Sequence, residues 1–181
     1  MASIAAAAIV SCVQLSAAHY QLPEHLIWTI LKAEGGHVGQ QVRNANGSYD
    51  LGPMQINDRT WLPVLGAAYG EPARRIRAAL LNDACYNIRI GSWILRQSLD
   101  EAGEKNFWEG VGFYNSHSPA FKLRYRSLVI RTAKTLYGSQ VFGGSVPGLP
   151  HDLDSIPVMS DARPPAGGAR MSVIDPNSPV E

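Results

Sequence analysis

The chain has little of what several common protein classes require. Its formal net charge is +1, and no sustained basic stripe runs along it, which argues against a nucleic-acid-binding protein. The arginines of segment 73–79 are better explained as the solvated face of a helix. The longest apolar run, IAAAAIV, is far shorter than the roughly 20 residues that span a bilayer, so we expect no transmembrane segment. The composition, with 45% hydrophobic and 17% charged residues among 181, is typical of one globular domain with a core.

Motifs for metal binding and for nucleophilic catalysis are also missing. The five histidines form no HExxH pair and no cluster, so no metal site is predicted. No serine lies in a GxSxG turn, and Cys85 has no evident histidine partner. We therefore expect an activity that needs no cofactor.

Cysteine is rare as well. Cys12 and Cys85 are far apart and form no CxxC pair, so one disulfide and two buried thiols are both compatible with the sequence. Residues 1–18 have two interpretations. They resemble a poor secretory signal that lacks a basic start, or they form an alanine-rich first helix, which is the interpretation we favour.

Helical periodicity dominates what is present. From about residue 9 to 137 the apolar residues recur at helical spacing, and the strict alternation of strands is nearly absent. This predicts a mostly α domain over residues 1–137. Residues 138–181 contain seven of the twelve prolines and few large apolar side chains, which predicts a disordered tail.

Two carboxylates stand out in the stretch KAEGGHVGQQVRNANGSYDLGPMQIND, residues 32–58. Glu34 comes four residues after Ile30 at the end of a predicted helix, so it lies on the apolar face, where desolvation would raise its pKa. The alternative is an ordinary polar residue at a fraying helix end. Asp50 follows an Asn-Gly pair, which predicts a short hairpin or loop that directs Asp50 inward.

These features, together with the later segment GVGFYNSHSP, resemble the soluble lytic transglycosylase family over roughly residues 12–137. The most similar subgroup contains the peptidoglycan-cleaving accessory proteins of type III and type IV secretion, conjugation and pilus systems. The resemblance implies a lysozyme-like fold with a minimal β-hairpin or loop, and a periplasmic enzyme that acts on peptidoglycan glycan strands. It also implies a disulfide between Cys12 and Cys85, and it allows the tail to dock components of such an envelope-spanning machine.

The resemblance also implies roles for the motif LGPMQIN. Gly52 would allow close backbone approach, Met54 would form an adaptable apolar wall, and Gln55 would hold N-acetyl or hydroxyl groups of a sugar, with Asn57 completing this substrate-binding motif. Core packing is the alternative explanation for Met54.

Three further roles follow from the same resemblance. Glu34 is expected to be the catalytic acid, Tyr114 to donate a hydrogen bond to its carboxyl, and Asn115 to shape the cleft. A buried tyrosine satisfied by the backbone is the alternative for Tyr114. Asp50 could be a nucleophile, an electrostatic partner of a positively charged transition state, or a residue that orders its loop, and we favour the second role.

The expected reaction is cleavage of the β-1,4 bond between N-acetylmuramic acid and N-acetylglucosamine, with formation of 1,6-anhydro products and local opening of the wall. Two alternatives stay open. One is a lysozyme-type muramidase, a hydrolase on the same fold, and the other is a non-catalytic glycan-binding assembly adaptor.

Overall fold

A computed structural model describes residues 4–142, apart from the side chains of residues 4–6 and 104. The helices and strands of this part follow in the order α1 (Ile4–His19), α2 (Glu24–Glu34), β1 (Gln41–Arg43), β2 (Tyr49–Leu51), β3 (Ile56–Asn57), α3 (Asp58–Tyr69), α4 (Ala73–Asn82), α5 (Ala84–Ala102), α6 (Phe107–Phe113) and α7 (Pro119–Tyr137). A single 3-10 turn, Glu104–Asn106, joins α5 to α6. The predicted mostly α class is confirmed. The predicted tail, from residue 143 onward, lies outside the described residues.

The short sheet contains the predicted hairpin. Its three strands are antiparallel in the order β1-β2-β3. The hairpin turn is the Asn-Gly segment: the Asn44 N–H donates to the Ser48 carbonyl at 2.8 Å, and Gly47 takes a positive φ of 82° that favours glycine. Asp50 therefore lies within a strand, β2, and not in a loop.

Helix α2 is held in the core and ends sharply. Leu26, Ile27 and Ile30 are each 0% exposed. At its end Gly35 adopts a left-handed φ of 64°, and its N–H donates to the Leu31 carbonyl at 3.1 Å. This cap fixes Glu34 as the last residue of the helix.

Helices α2 and α7 pack side by side and antiparallel. Near the start of α2 the rings of His25 and Tyr137 are 4.7 Å apart, whereas at its end the Tyr125 hydroxyl reaches Glu34. Tyr137 is the last residue of α7, and Tyr125 lies near its beginning. The two helices therefore run in opposite directions, and α7 continues beyond the end of α2.

Asn87 of α5 connects the sheet to the helices. This residue is 0% exposed, and its amide nitrogen donates to the carbonyls of Leu51 at 2.9 Å and Leu80 at 2.8 Å. Its amide oxygen accepts from the Met54 N–H at 2.8 Å. Because a buried amide is costly to leave unpaired, these three bonds fix the turn between β2 and β3 against α5.

A disulfide joins α1 to α5. Cys12 and Cys85 are bonded with their Cα atoms 5.2 Å apart, which confirms the implied pairing. Val13 and Ala17 of α1 lie in the core, so the alanine-rich segment is a helix of the domain. Disulfides persist in oxidising compartments, and closing 73 residues of chain contributes roughly 4 kcal/mol in the loop-entropy account. Among the described helices, none combines the length and apolar character needed to cross a bilayer.

The packed chain continues past residue 137, the predicted end of the domain. Phe142 is 2% exposed and lies against Phe107 and Trp108, with ring centroids 6.5 and 5.8 Å away. The segment after α7 thus folds back onto α6.

Candidate active site

Glu34 meets Tyr125 at the end of α2. The Tyr125 hydroxyl donates to Oε1 of Glu34 at 2.5 Å, and Tyr125 itself is 0% exposed. As a residue Glu34 keeps some accessible surface, but protein atoms surround its carboxyl. Glu34 thus lies near the protein surface, while its carboxyl is largely removed from water.

This environment raises the pKa of Glu34 from 4.5 to about 8. Burial is the main cause, because the ionised form loses its hydration, and the negative charge of Asp50 adds to it. The hydrogen bond from Tyr125 acts in the opposite direction, since it stabilises the carboxylate. The C-terminal end of a helix also disfavours a negative charge. Glu34 therefore carries a proton at neutral pH.

Asp50 lies on β2, opposite Val42 on one side and Asn57 on the other. The Asn57 amide donates to Oδ1 of Asp50 at 2.7 Å and to the Ser48 hydroxyl at 2.9 Å. Burial raises the pKa of Asp50 above its usual value, and hydrogen bonds from Asn57 and Asn44 reverse this only in part. These amides stabilise the ionised form of Asp50 despite its partial burial.

The two carboxyl groups interact electrostatically. The charge of Asp50 raises the pKa of Glu34. Burial is the main cause of the raised pKa of the Tyr114 hydroxyl, and the charges of both carboxyls add to it. The two carboxyls thus differ: Glu34 keeps its proton, whereas Asp50 accepts hydrogen bonds from amide donors. Such a division is how acid and base roles are assigned to neighbouring carboxyls.

The turn formed by residues 52–55 packs against the chain just after the end of α2. A Cβ on Gly36 would come within 2.9 Å of the Pro53 carbonyl and 2.7 Å of the Gln55 amide nitrogen. Gln55 takes a positive φ of 48°, unusual for a residue with a side chain, and its amide donates to the Gly52 carbonyl at 2.8 Å. Gln55 is half-buried, and its side-chain amide lies close to Gly36, which follows Glu34 by two residues.

Other predicted site residues lie deeper than expected. Gly52 permits a close approach, but to the Leu80 carbonyl and the Asn87 amide. Met54 is 0% exposed and packs against Gly91, so core packing, the alternative, describes its side chain. Asn57 is 9% exposed and caps α3 by accepting from the Thr60 N–H at 3.2 Å. These three residues are therefore buried next to the candidate site and are not exposed at its surface.

Tyr114 and Asn115 follow α6. The Tyr114 hydroxyl donates to the Met54 carbonyl at 2.9 Å, so its predicted bond to Glu34 is wrong and the alternative, a backbone partner, is correct. Its ring stacks on Tyr125 at 5.9 Å. The side-chain oxygen of Asn115 is buried, and no hydrogen-bond partner for it occurs among the described residues.

Tyr125 is a residue of the candidate site that the sequence did not predict. It continues an apolar stripe of α7 with Val129 and Ala133, at spacings of four residues. A tyrosine on such a stripe, which needs a partner for its hydroxyl, was the available signal. The pairing to Glu34 spans 91 residues and has no local pattern.

Within residues 4–142, no group of three or more His, Cys, Asp and Glu side chains could hold an ion.

Fold and site together define a mostly helical protein with a small sheet, in which a protonated glutamate lies near an amide-held aspartate. In sequence, the chain is 28% identical over 127 residues to Protein IpgF of Shigella flexneri and to Protein IpgF of Shigella sonnei. Each alignment covers 70% of this chain and 76% of the relative. No family model matches the chain. The name of these relatives states no activity, so the similarity assigns no reaction.

Proposed function

We propose that the protein has a lysozyme-like fold and is a peptidoglycan lytic transglycosylase. It cleaves the β-1,4 bond between N-acetylmuramic acid and N-acetylglucosamine, with Glu34 as the proton donor. The observation that carries this proposal is the environment of Glu34, a carboxyl with a pKa of about 8 beside a second carboxyl. A general acid works best when its pKa is close to the working pH.

In the first step Glu34 gives its proton to the glycosidic oxygen. The bond from this oxygen to C1 of the muramic acid breaks, and the N-acetylglucosamine part leaves with a 4-hydroxyl. The positive charge that develops at C1 is stabilised by ionised Asp50. The 6-hydroxyl of the same muramic acid then attacks C1 and returns its proton to the Glu34 carboxylate, which gives a 1,6-anhydro ring and restores the acid.

A lysozyme-type hydrolase is the second candidate, and the ordering of Asp50 favours it. The Asn57 amide donates to Asp50 at 2.7 Å and so fixes the orientation of this carboxyl. A residue that acts only through its charge does not need a fixed orientation. In retaining glycosidases the second carboxylate attacks C1, and water completes the reaction. The two candidates therefore differ in the group that finally bonds to C1, which is the 6-hydroxyl of the sugar in the transglycosylase and water in the hydrolase.

The proposed setting is the periplasm, where the enzyme would open the wall locally for a secretion, conjugation or pilus apparatus. The disulfide supports an oxidising compartment. The resemblance of the motifs to accessory proteins of such machines supports the role.

The test uses the full chain on purified cell walls, in a zymogram and in solution. Wild type is expected to clear the wall, and Glu34→Gln to abolish clearing, because the amide keeps the shape but cannot donate a proton of suitable strength. Glu24→Gln is the matched control, since Glu24 lies on the same helix and binds the Trp28 indole at 3.1 Å, away from Asp50. It should keep wild-type activity.

Mass spectrometry of the released muropeptides separates the candidates. Anhydro products support the transglycosylase, and products with an added water support the hydrolase. Wall binding without cleavage by wild type would identify the adaptor and reject the catalytic proposal, as would full activity of Glu34→Gln.

A further inference from the structure

The apolar stripe of α7 continues past the acid. Tyr125, Val129 and Ala133 recur every four residues and are each 0% exposed. Phe121 is the next residue of this series toward the start of the helix, and it is 40% exposed. Residues four apart lie on one face of a helix, so Phe121 is on the same face as Tyr125, about 6 Å further along the axis.

The exposure of Phe121 has a cause in the packing of α2. Helix α2 covers the α7 stripe only as far as Glu34, where the helix ends and the chain turns at Gly35 toward the segment 52–55. The first six residues of α7 precede Tyr125 and extend about 9 Å beyond that point. Phe121 thus presents an aromatic ring at the open end of the helix pair, about one helical turn beyond Tyr125, the residue that binds the Glu34 carboxyl.

An exposed apolar residue also lies on the sheet side of the site. Val42 of β1 is the cross-strand partner of Asp50 and is 37% exposed. Directly opposed residues of neighbouring strands point to the same face of a sheet, so Val42 lies on the face that carries Asp50. Its neighbours Gln41 and Arg43 point to the other face.

We propose that Phe121 and Val42 are contact surfaces for the glycan strand, one on the helix side and one on the sheet side of the pair formed by Glu34 and Asp50. This inference rests on the proposed function and names how that site binds its substrate. A pyranose ring has faces of C–H groups and a rim of hydroxyl and N-acetyl groups. Its faces pack on apolar side chains, whereas its rim needs hydrogen bonds.

The arrangement fits a glycan better than a protein partner. Surfaces that bind proteins usually offer a contiguous apolar patch. Here the apolar groups are single side chains on two elements, and each has a carboxyl of the pair in its neighbourhood: Val42 is paired with Asp50, and Phe121 lies one turn from the Tyr125 that binds Glu34. A chain of sugars presents the same alternation of apolar faces and polar groups.

Binding is measured on the full chain with Glu34→Gln as background, so that the strand is not cut. The probe is the β-1,4-linked hexamer of N-acetylglucosamine, and Kd is obtained by calorimetry. Phe121→Ser and Val42→Ser should each weaken binding roughly tenfold, because an apolar contact of this size is lost. Phe121→Tyr should restore the affinity, since the ring is kept.

Matched controls come from exposed residues far from the site. Leu136→Ser changes a residue of α7 that is 41% exposed, and Val10→Ser changes a valine of α1 that is 40% exposed. Both should alter Kd by less than twofold. Circular dichroism of each variant verifies that the helices are intact.

The outcomes separate this inference from the function on which it rests. If the background protein binds the hexamer and Phe121→Ser and Val42→Ser bind as tightly as their controls, the contact surfaces are wrong and the enzyme proposal stands. If the background protein binds no hexamer and wild type clears no wall, both proposals fail. Weakened binding in these two variants, with rescue by tyrosine, establishes the surfaces.

Discussion

At the residue scale, the charges of Glu34 and Asp50 depend on the donors around them. Burial raises the pKa of both carboxyls. Hydrogen bonds lower it in part: Tyr125 donates to Glu34, and Asn57 and Asn44 donate to Asp50. An enzyme that needs Glu34 protonated and Asp50 ionised loses activity at high pH as Glu34 deprotonates near pH 8. It loses activity at low pH as Asp50 gains a proton, and burial moves that loss above the usual range of an aspartate.

Tyr125→Phe is expected to move the alkaline limb of the pH profile upward. The phenol stabilises the Glu34 carboxylate, so its removal raises the pKa of Glu34 further and keeps the acid protonated to higher pH. The measurement is the rate of wall clearing from about pH 4 to 10. Tyr137→Phe, at the far end of the same helix, is the control and should leave the limb in place. A limb that moves downward in Tyr125→Phe would contradict the assigned bond.

Asp50→Asn should move the same limb the other way. Without the negative charge the pKa of Glu34 falls, so activity is lost at a lower pH than in wild type. We also expect a lower rate at the optimum, because the positive charge at C1 loses its partner, but not complete inactivity. An unchanged rate together with an unchanged limb would leave Asp50 only a role in ordering the sheet.

The sequence indicated these two acids as candidates because their signals are local. Glu34 follows Ile30 and Leu31 on one helical face, and Asp50 follows an Asn-Gly turn. The bond from Tyr125 connects residues 91 apart, and no local pattern encodes such a pairing. Family motifs suggested Tyr114 for this role, but its hydroxyl is taken by the Met54 carbonyl.

At the scale of elements, the helices were predictable and the strands were not. Helices of 10 residues or more repeat their apolar spacing several times, whereas β1, β2 and β3 have only two or three residues each. Alternation needs about four residues to be recognised. The turn signal of the Asn-Gly pair was therefore the only indication of the hairpin.

The contact between the end of α2 and the turn 52–55 also has no sequence signal beyond a glycine. Gly36→Ala should destabilise the protein by about 1–3 kcal/mol, because its Cβ would lie against the backbone carbonyls of Gly52 and Pro53. It should also slow wall cleavage, since relief of the contact moves Glu34 away from the turn. Thermal unfolding and clearing rates are the measurements.

Gly35→Ala provides the comparison. No atom lies within 4 Å of its added Cβ, and its cost is limited to the left-handed φ of 64°. If the contact at Gly36 positions Glu34, Gly36→Ala slows cleavage more than Gly35→Ala at equal loss of stability. Equal rates in the two variants would show that helix capping, and not the contact, positions the acid.

At the scale of the whole molecule, the packed chain extends beyond Tyr137, the predicted end of the domain. After α7 the composition changes, and a single phenylalanine among polar and small residues gives no periodic signal. Phe142 is nevertheless buried against Phe107 and Trp108 of α6. Helix α6 leads directly to Tyr114, so the segment 138–142 supports the element that carries part of the site.

Phe142→Ala is therefore expected to lower the free energy of unfolding by about 3–5 kcal/mol, the usual cost of removing a buried phenylalanine. Chemical denaturation of the full chain measures this cost. Leu136→Ala, at an exposed position on α7, should change it by less than about 1 kcal/mol. Truncation after residue 142 should keep both stability and wall clearing, whereas truncation after residue 137 should resemble Phe142→Ala. If both truncated chains were as stable as the full chain, the domain would end at Tyr137 as the composition suggested, and the burial of Phe142 would contribute nothing to stability.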